Sequence, residues 1–211
     1  MMATKNASAP SALVQMALER WNDKSFWAMV NARVSRLQMR ITKAVEEERW
    51  NKVKSLQWLL THSFFAKIHA VRRITKNKGS RTPGVDGVLL HGPKDYVRMA
   101  LSLQRRGYRA QPLRRILIPK KHGKFRPLGI PTIKDRCMQA LYLLALHPVS
   151  EWLADINSYG FRPYRACRDA ISQCFKTLSG KNCAVWILEG DIKACFDEID
   201  HEFLLEIIPL D

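Results

Sequence analysis

The stretch Trp186-Ile187-Leu188-Glu189-Gly190-Asp191-Ile192-Lys193-Ala194-Cys195-Phe196-Asp197 constrains this chain more than any other part of it. An apolar run stops on a carboxylate, and an aromatic follows five residues later. Ala184 to Glu189 reads as a buried strand, rigid enough to hold an oxygen ligand at the edge of a cleft. Asp191 is then a candidate ligand for Mg²⁺, a hard cation that combines carboxylates with waters and substrate phosphates. Two-metal phosphoryl transfer needs at least two such carboxylates facing one phosphate. Taken alone, the same residues also fit a strand followed by an Asx turn, with Asp191 capping the next segment.

Charge decides what kind of partner such a site would serve. The 211 residues carry a formal net charge of +16, and the pI is near 10.0. A polyanionic partner is expected, and nucleic acid is the commonest. Between Arg49 and Lys134 the only acids are Asp86 and Asp95, against about twenty Lys and Arg. From Glu189 to Asp211 the balance reverses, with Lys193 the single Lys or Arg. A surface that is merely solubilising would mix both signs. The length allows one sizeable core or two small ones. The five cysteines (Cys137, Cys167, Cys174, Cys183, Cys195) form no C-x-x-C pair, which points away from a disulfide framework or zinc site and toward a reducing setting. No apolar run approaches a membrane span. Met1 to Pro10 lacks the apolar core of a secretory signal and reads as a disordered lead, with weak order expected through residue 24.

Along the chain, Phe26, Val30, Val34, Leu37, Ile41 and Val45 recur at helical spacing, predicting a helix from Ser25 to about Glu47. Arg33, Arg36, Arg40 and Lys43 form a basic stripe beside them. A second helix is predicted from about Arg49 to Arg73, packed antiparallel to the first. Lys76 to Gly87 carries Gly, Pro, Asn and Asp in close succession and reads as a basic loop. Pro93 opens a short helix that Gly107 is expected to close. Leu113 to Ile118 and Phe125 to Ile130 read as a hairpin about a His122-Gly123 turn. Thr132 and Asp135 resemble a capping box opening a long apolar helix, which Pro148 kinks or interrupts. A further helix spans about Arg165 to Ser179, and Asp200 caps a last one. Helices, hairpin, helices and then a strand make an α+β pattern.

Four motifs occur here in one order: Arg81-Thr82-Pro83-Gly84-Val85-Asp86-Gly87, Arg126-Pro127-Leu128-Gly129-Ile130-Pro131, Tyr159-Gly160-Phe161-Arg162-Pro163 and Asp191-Ile192-Lys193-Ala194-Cys195-Phe196-Asp197. Together they resemble the N-terminal part of a group II intron-encoded reverse transcriptase, or maturase, from about Ser25 to Asp211. The resemblance implies a right-hand polymerase. It places an N-terminal helical extension and basic loop at 25–92, fingers at 93–183 and the start of a palm at 184–211.

In such enzymes the fingers hairpin clamps the incoming dNTP, and Lys120 and Arg126 match the residues expected to do so. A guanidinium presents a planar fork to phosphate oxygens, whereas a lysine acts as a point charge. Asp191 matches the first metal-binding aspartate of the palm, with the Ile192 carbonyl beside it. Phe196 matches the residue that occupies the space of a ribose 2′-OH, although a Phe in this position more commonly packs in a core. Arg33, Arg36, Arg40, Arg72, Arg73, Lys76, Lys78, Arg81, Arg114, Arg115 and Arg162 are the expected nucleic-acid contacts.

The implied cofactor is Mg²⁺ in a two-metal site that these residues only begin, because no Tyr-x-Asp-Asp occurs in the sequence. The chain alone is therefore expected to be inactive. Its expected partners are intron or template RNA, a DNA primer, dNTP and a missing palm and thumb supplied in trans, with no membrane. A bacterial cytoplasm is the expected setting, with an organelle as the alternative. Two other readings stay open: a non-catalytic RNA-binding module of maturase type, and one part of a split reverse transcriptase.

Overall fold

The computed structural model describes residues 11–119, 123, 125–193 and 195–210, with the side chains of residues 196 and 197 outside that description. Nine α-helices and one β-hairpin appear among these residues: α1 (Ser11–Glu19), α2 (Lys24–Glu46), α3 (Trp50–His62), α4 (Phe64–Thr75), α5 (Gly92–Ser102), β1 (Arg114–Pro119), β2 (Phe125–Ile130), α6 (Ile133–Leu153), α7 (Cys167–Leu178), α8 (Cys195–Glu198) and α9 (His201–Ile207). A 3₁₀ turn, Lys78–Arg81, lies inside the basic loop. Mostly helical with a single two-stranded sheet, the chain is α+β.

One core unites α1 to α6. Phe26, Val30, Val34, Ile41 and Val45 of α2 are all buried, as their spacing predicts. Val53, Leu56, Leu60, Phe64, Ile68 and Val71 are buried too, but they belong to two helices rather than one. Ser63 takes an extended conformation (φ −66°, ψ 127°) and breaks the predicted 49–73 helix. The apolar spacing stays in phase across the break, so periodicity alone does not reveal it. Residues 11–24, expected to be weakly ordered, instead form α1, a turn that buries Trp21, and the start of α2. Trp21 packs edge-on to Trp27 at 4.9 Å and against Tyr96 at 5.1 Å, and the Trp27 indole N–H donates to the Trp21 carbonyl. Pro93 does open α5, but the helix stops at Ser102, well before Gly107.

α6 lies against α2, α3 and α4 and runs through Pro148 without interruption. A proline lacks the N–H that would bond the carbonyl four residues back and crowds the preceding turn. Gln38 makes good the loss, and Gln57 adds a second side-chain donor to the same turn. Gln38 Nε2 donates to the Leu144 carbonyl at 2.9 Å, and buried Gln57 Nε2 donates to that of Ala145 at 3.2 Å. Gln57 Nε2 also reaches the Pro209 carbonyl at 2.7 Å.

The start of α6 fixes the hairpin. Thr132 caps the helix by accepting from the Asp135 N–H at 3.1 Å and donates its hydroxyl to Asp135 Oδ2 at 2.6 Å. The same carboxylate accepts from the Tyr108 hydroxyl at 2.5 Å and the Gln111 N–H at 3.3 Å. Tyr108 and Gln111 precede β1, and Thr132 follows β2, so one buried carboxylate ties both legs of the hairpin together. The strands pair antiparallel, Arg114 opposite Ile130 through Pro119 opposite Phe125.

The predicted strand from Ala184 to Glu189 does not form. Strands exist by pairing, and the sole ladder among the described residues is the hairpin. Val185, Trp186 and Leu188 are 87%, 91% and 97% exposed. No described side chain from Ala154 to Leu210 is fully buried. Among the described residues, no helix is long and apolar enough to cross a membrane.

Burial by itself would raise the pKa of Asp135, but the hydrogen bonds from Thr132, Tyr108 and Gln111 outweigh it and hold the carboxyl below its ordinary range. With the folded pKa depressed, this stabilisation is complete above the ordinary carboxylate pKa and is lost as pH falls through the folded value. Asp135→Ala leaves three donors without their acceptor and should cost about 3 kcal/mol at neutral pH. Urea unfolding of both proteins should show that gap shrinking below about pH 4. A gap unchanged by pH would contradict the role given to the carboxylate.

Candidate nucleic-acid interface

The basic loop is held to the rest of the chain by its backbone. Arg136, one residue beyond the buried carboxylate, donates from Nη1 to the Gly79 carbonyl at 2.7 Å and from Nη2 to the Thr82 carbonyl at 2.5 Å. Gly84 is pressed against the exit of the hairpin. A Cβ there would sit 2.6 Å from Thr132 Cα and 2.7 Å from its nitrogen. Arg114 Nη1 approaches the Pro83 carbonyl at 3.4 Å, joining loop to β1. With their backbone fixed in this way, Lys76, Lys78 and Arg81 present exposed side chains.

The hairpin adds cations beside the loop. Arg126 stands opposite Ile118 and Arg115 opposite Gly129. Cross-strand partners share a face, so Arg126 lies on the same face as Arg114, with the Ile116–Leu128 pair between them. Arg114, Arg115 and Arg126 are all exposed. Lys120 lies outside the described residues, as does the Phe196 side chain.

The remaining predicted contacts divide into two groups. Arg36 and Arg40 of α2 are exposed. Arg33 is also exposed, but its guanidinium lies over the Phe65 ring at 4.7 Å. Arg73 is exposed, whereas Arg72 is half-buried over the Trp27 ring at 3.9 Å. Burial lowers the Arg72 pKa. Arg162 is committed inward. Its Nε and Nη2 grip both Glu151 carboxylate oxygens at 3.0 Å, while Nη1 donates to the carbonyls of Asp155 at 2.6 Å and Ser158 at 3.0 Å. That fork closes the Tyr159–Pro163 loop, so Arg162 acts as a loop clamp rather than an open phosphate contact.

Asp191 is exposed on a segment without regular structure, and Ile192 beside it is 73% exposed. Among the described residues, no three His, Cys, Asp or Glu side chains converge as a metal site. Mg²⁺ can be held by one or two carboxylates when phosphates and waters complete its shell. Asp191 can supply one such carboxylate, and the described residues alone do not build the site. Neither the Arg136 anchor nor the Asp135 network was legible beyond the Thr132–Asp135 cap. Their partners lie 24 to 57 residues away, and no local pattern encodes them.

Two family models match the chain. Residues 21–103 match the N-terminal domain of reverse transcriptase, and residues 118–209 match the reverse transcriptase (RNA-dependent DNA polymerase) domain. Protein YkfC of Escherichia coli (strain K12) is 38% identical over 150 residues, covering 66% of this chain and 38% of that protein. The group II intron-encoded protein LtrA of Lactococcus lactis subsp. cremoris is 38% identical over 147 residues, covering 67% of this chain and 24% of that protein. An uncharacterized 91 kDa protein in the cob intron of Schizosaccharomyces pombe is 36% identical over 153 residues, covering 72% and 18%. The chain thus spans between about a fifth and two-fifths of the length of these curated relatives.

The two glycines of the loop should respond differently to a methyl group. Gly84→Ala forces backbone against backbone and should cost about 1–3 kcal/mol. Gly87 has φ +68° with nothing within 4 Å of a Cβ, so Gly87→Ala should carry only the left-handed penalty of about 1 kcal/mol. Denaturant midpoints of the two variants measure the difference. Gly84→Ala as mild as Gly87→Ala would mean that the loop is not locked.

Proposed function

Because the chain belongs to the group II intron-encoded reverse transcriptase family, we propose that it supplies the RNA-binding extension, the fingers and the first stretch of the palm of an RNA-directed DNA polymerase. The observation that carries this reading is the locked loop beside the hairpin. Arg136 and Gly84 fix a backbone from which Arg81 projects, and the paired strands beside it carry Arg114 and Arg126 on one face and Arg115 on the other. Fixed cations suit a phosphate backbone because little order is lost when they engage it. Within the hairpin, Arg126 and Lys120 take the triphosphate of an incoming dNTP, with Arg126 giving the bidentate contact. Asp191 and the Ile192 carbonyl are the groups that would hold Mg²⁺. Bound there, the metal would stabilise charge on the transferring phosphoryl group. By the family resemblance, the role of Phe196 is to disfavour a 2′-OH. RNA is the template or the intron itself, and a DNA primer completes the substrate set.

A second reading has its own support. Asp191 is exposed, and no carboxylate cluster surrounds it among the described residues, while the cationic platform is already assembled. On this reading the chain is a non-catalytic RNA-binding module of maturase type, and a palm and thumb portion would not make it polymerise.

Binding of a structured RNA at several salt concentrations tests the shared part of both readings. Log affinity should fall steeply with log salt as phosphate contacts release counterions. A flat line would remove the basis for RNA binding. Primer extension separates the two readings. The chain alone should give no product, and addition of a palm and thumb portion should restore it. Asp191→Asn should then abolish extension while leaving RNA affinity intact, and Arg126→Ala should weaken dNTP use by about 1–3 kcal/mol. Product from the unaided chain, or extension that survives Asp191→Asn, would refute this assignment of roles.

A further inference from the structure

A second cationic surface, sharing no residue with the loop or the hairpin, lies on α3 and the segment that follows α5. Trp58 and His62, one helical turn apart, face the same way. Their rings stack with centroids 4.1 Å apart and planes 22° from parallel. His62 Nδ1 lies 2.8 Å from the Trp58 carbonyl. A carbonyl can only accept, so Nδ1 carries a proton and donates, which pins the imidazole in its stacked position. The indole is nevertheless 48% exposed.

Beside this stack, Trp58, His62, Arg105, Arg106 and Tyr142 line a groove of about 620 Å³, within the usual range for small-ligand sites. Arg105 is half-buried, and its Nη1 approaches Thr61 Oγ1 at 3.4 Å, holding it against α3. Arg106 is exposed. None of the described residues lining the groove is a carboxylate. Trp, Tyr and Arg recur at protein interfaces as well, but this patch is edged by Arg106 and an imidazole on a chain of net charge +16, which favours a polyanion. Aromatic platforms with adjacent cations are the recurring device for unpaired nucleotides, because every base offers a π-face and every linkage a phosphate.

We propose that this groove is a subsite for single-stranded RNA, in which an unpaired base stacks on Trp58 and its phosphate meets Arg106. The proposal rests on the reading of the chain as an RNA-binding protein, and adds a contact that the basic loop and the hairpin do not supply. A base inside a duplex already stacks on its neighbours and cannot enter, so the subsite selects unpaired strands.

The test is fluorescence anisotropy of the full chain with a short oligouridylate and with a blunt RNA duplex of equal length. Trp58→Leu, which keeps apolar bulk but removes the π-face, should weaken single-strand binding about ten-fold and leave duplex binding unchanged. Trp58→Phe should recover most of the loss. Arg106→Gln should lower the slope of log affinity against log salt by about one.

Wild-type binding to neither RNA would overturn the RNA-binding reading and this subsite together. Wild-type binding to both, with Trp58→Leu unchanged, would overturn the subsite alone and leave the groove to a protein partner. Equal losses on strand and duplex would also overturn it. Photocrosslinking of the wild-type chain to a thiouridine-containing strand needs no variant. Adducts on Trp58, His62 or Tyr142 support the subsite, and adducts confined to other regions overturn it.

Discussion

The described structure depends on a single buried carboxylate. Asp135 gathers a phenol, a backbone N–H and a hydroxyl from the two ends of the segment that carries the hairpin. An unpaired carboxylate in such a position would be very unfavourable. Fully hydrogen-bonded, it is the point at which a two-stranded ribbon, marginal by itself in water, gains a rigid base. The phenol feels the same contact: burial and Asp135 together raise the Tyr108 pKa well above its ordinary value. The next residue extends the effect, because Arg136 grips the basic loop. Two adjacent residues at one helix start thus position two separate cationic segments relative to each other.

This arrangement changes what the net charge of +16 means. Cations on a chain are not equivalent. Arg72 spends its guanidinium on an indole, and Arg162 spends its own on Glu151 and two carbonyls. Such groups shape the fold and offer little to an incoming phosphate. Arg81, Arg115 and Arg126 project from backbones that are already held, and that is where a polyanion meets charge without first ordering it. The cation distribution, more than its total, separates a nucleic-acid surface from a merely basic one.

Features encoded by short-range pattern were legible in the sequence. The α2 spacing, the hairpin and the Thr132–Asp135 cap all follow from neighbours within a few residues. The family was legible because four motifs occur in order, which no single motif could establish. Features set by distant contacts were not legible. The break at Ser63 preserves the apolar phase, so the sequence reads straight through it. α1 gains its place from Trp21 lodged near Tyr96, far along the chain. Arg162 in a basic, aromatic loop looked like a phosphate contact because Glu151 lies eleven residues earlier. The strand predicted before Asp191 has the right composition, but composition cannot supply a pairing partner. The Asp191 site is therefore visible in the sequence as chemistry and absent from the described residues as geometry.

The unpaired run at Val185 to Leu188 also bears on how the protein behaves in solution. Consecutive exposed apolar residues with free backbone groups invite edge-to-edge association between copies. Glu189, Asp191 and Lys193 follow closely and act as charged gatekeepers. Mutual repulsion among highly positive chains is the stronger safeguard. It is also the one that a bound polyanion or high salt removes. Solubility and nucleic-acid binding therefore draw on the same charges, and neutralising the platform brings the sticky segment of one molecule within reach of the next.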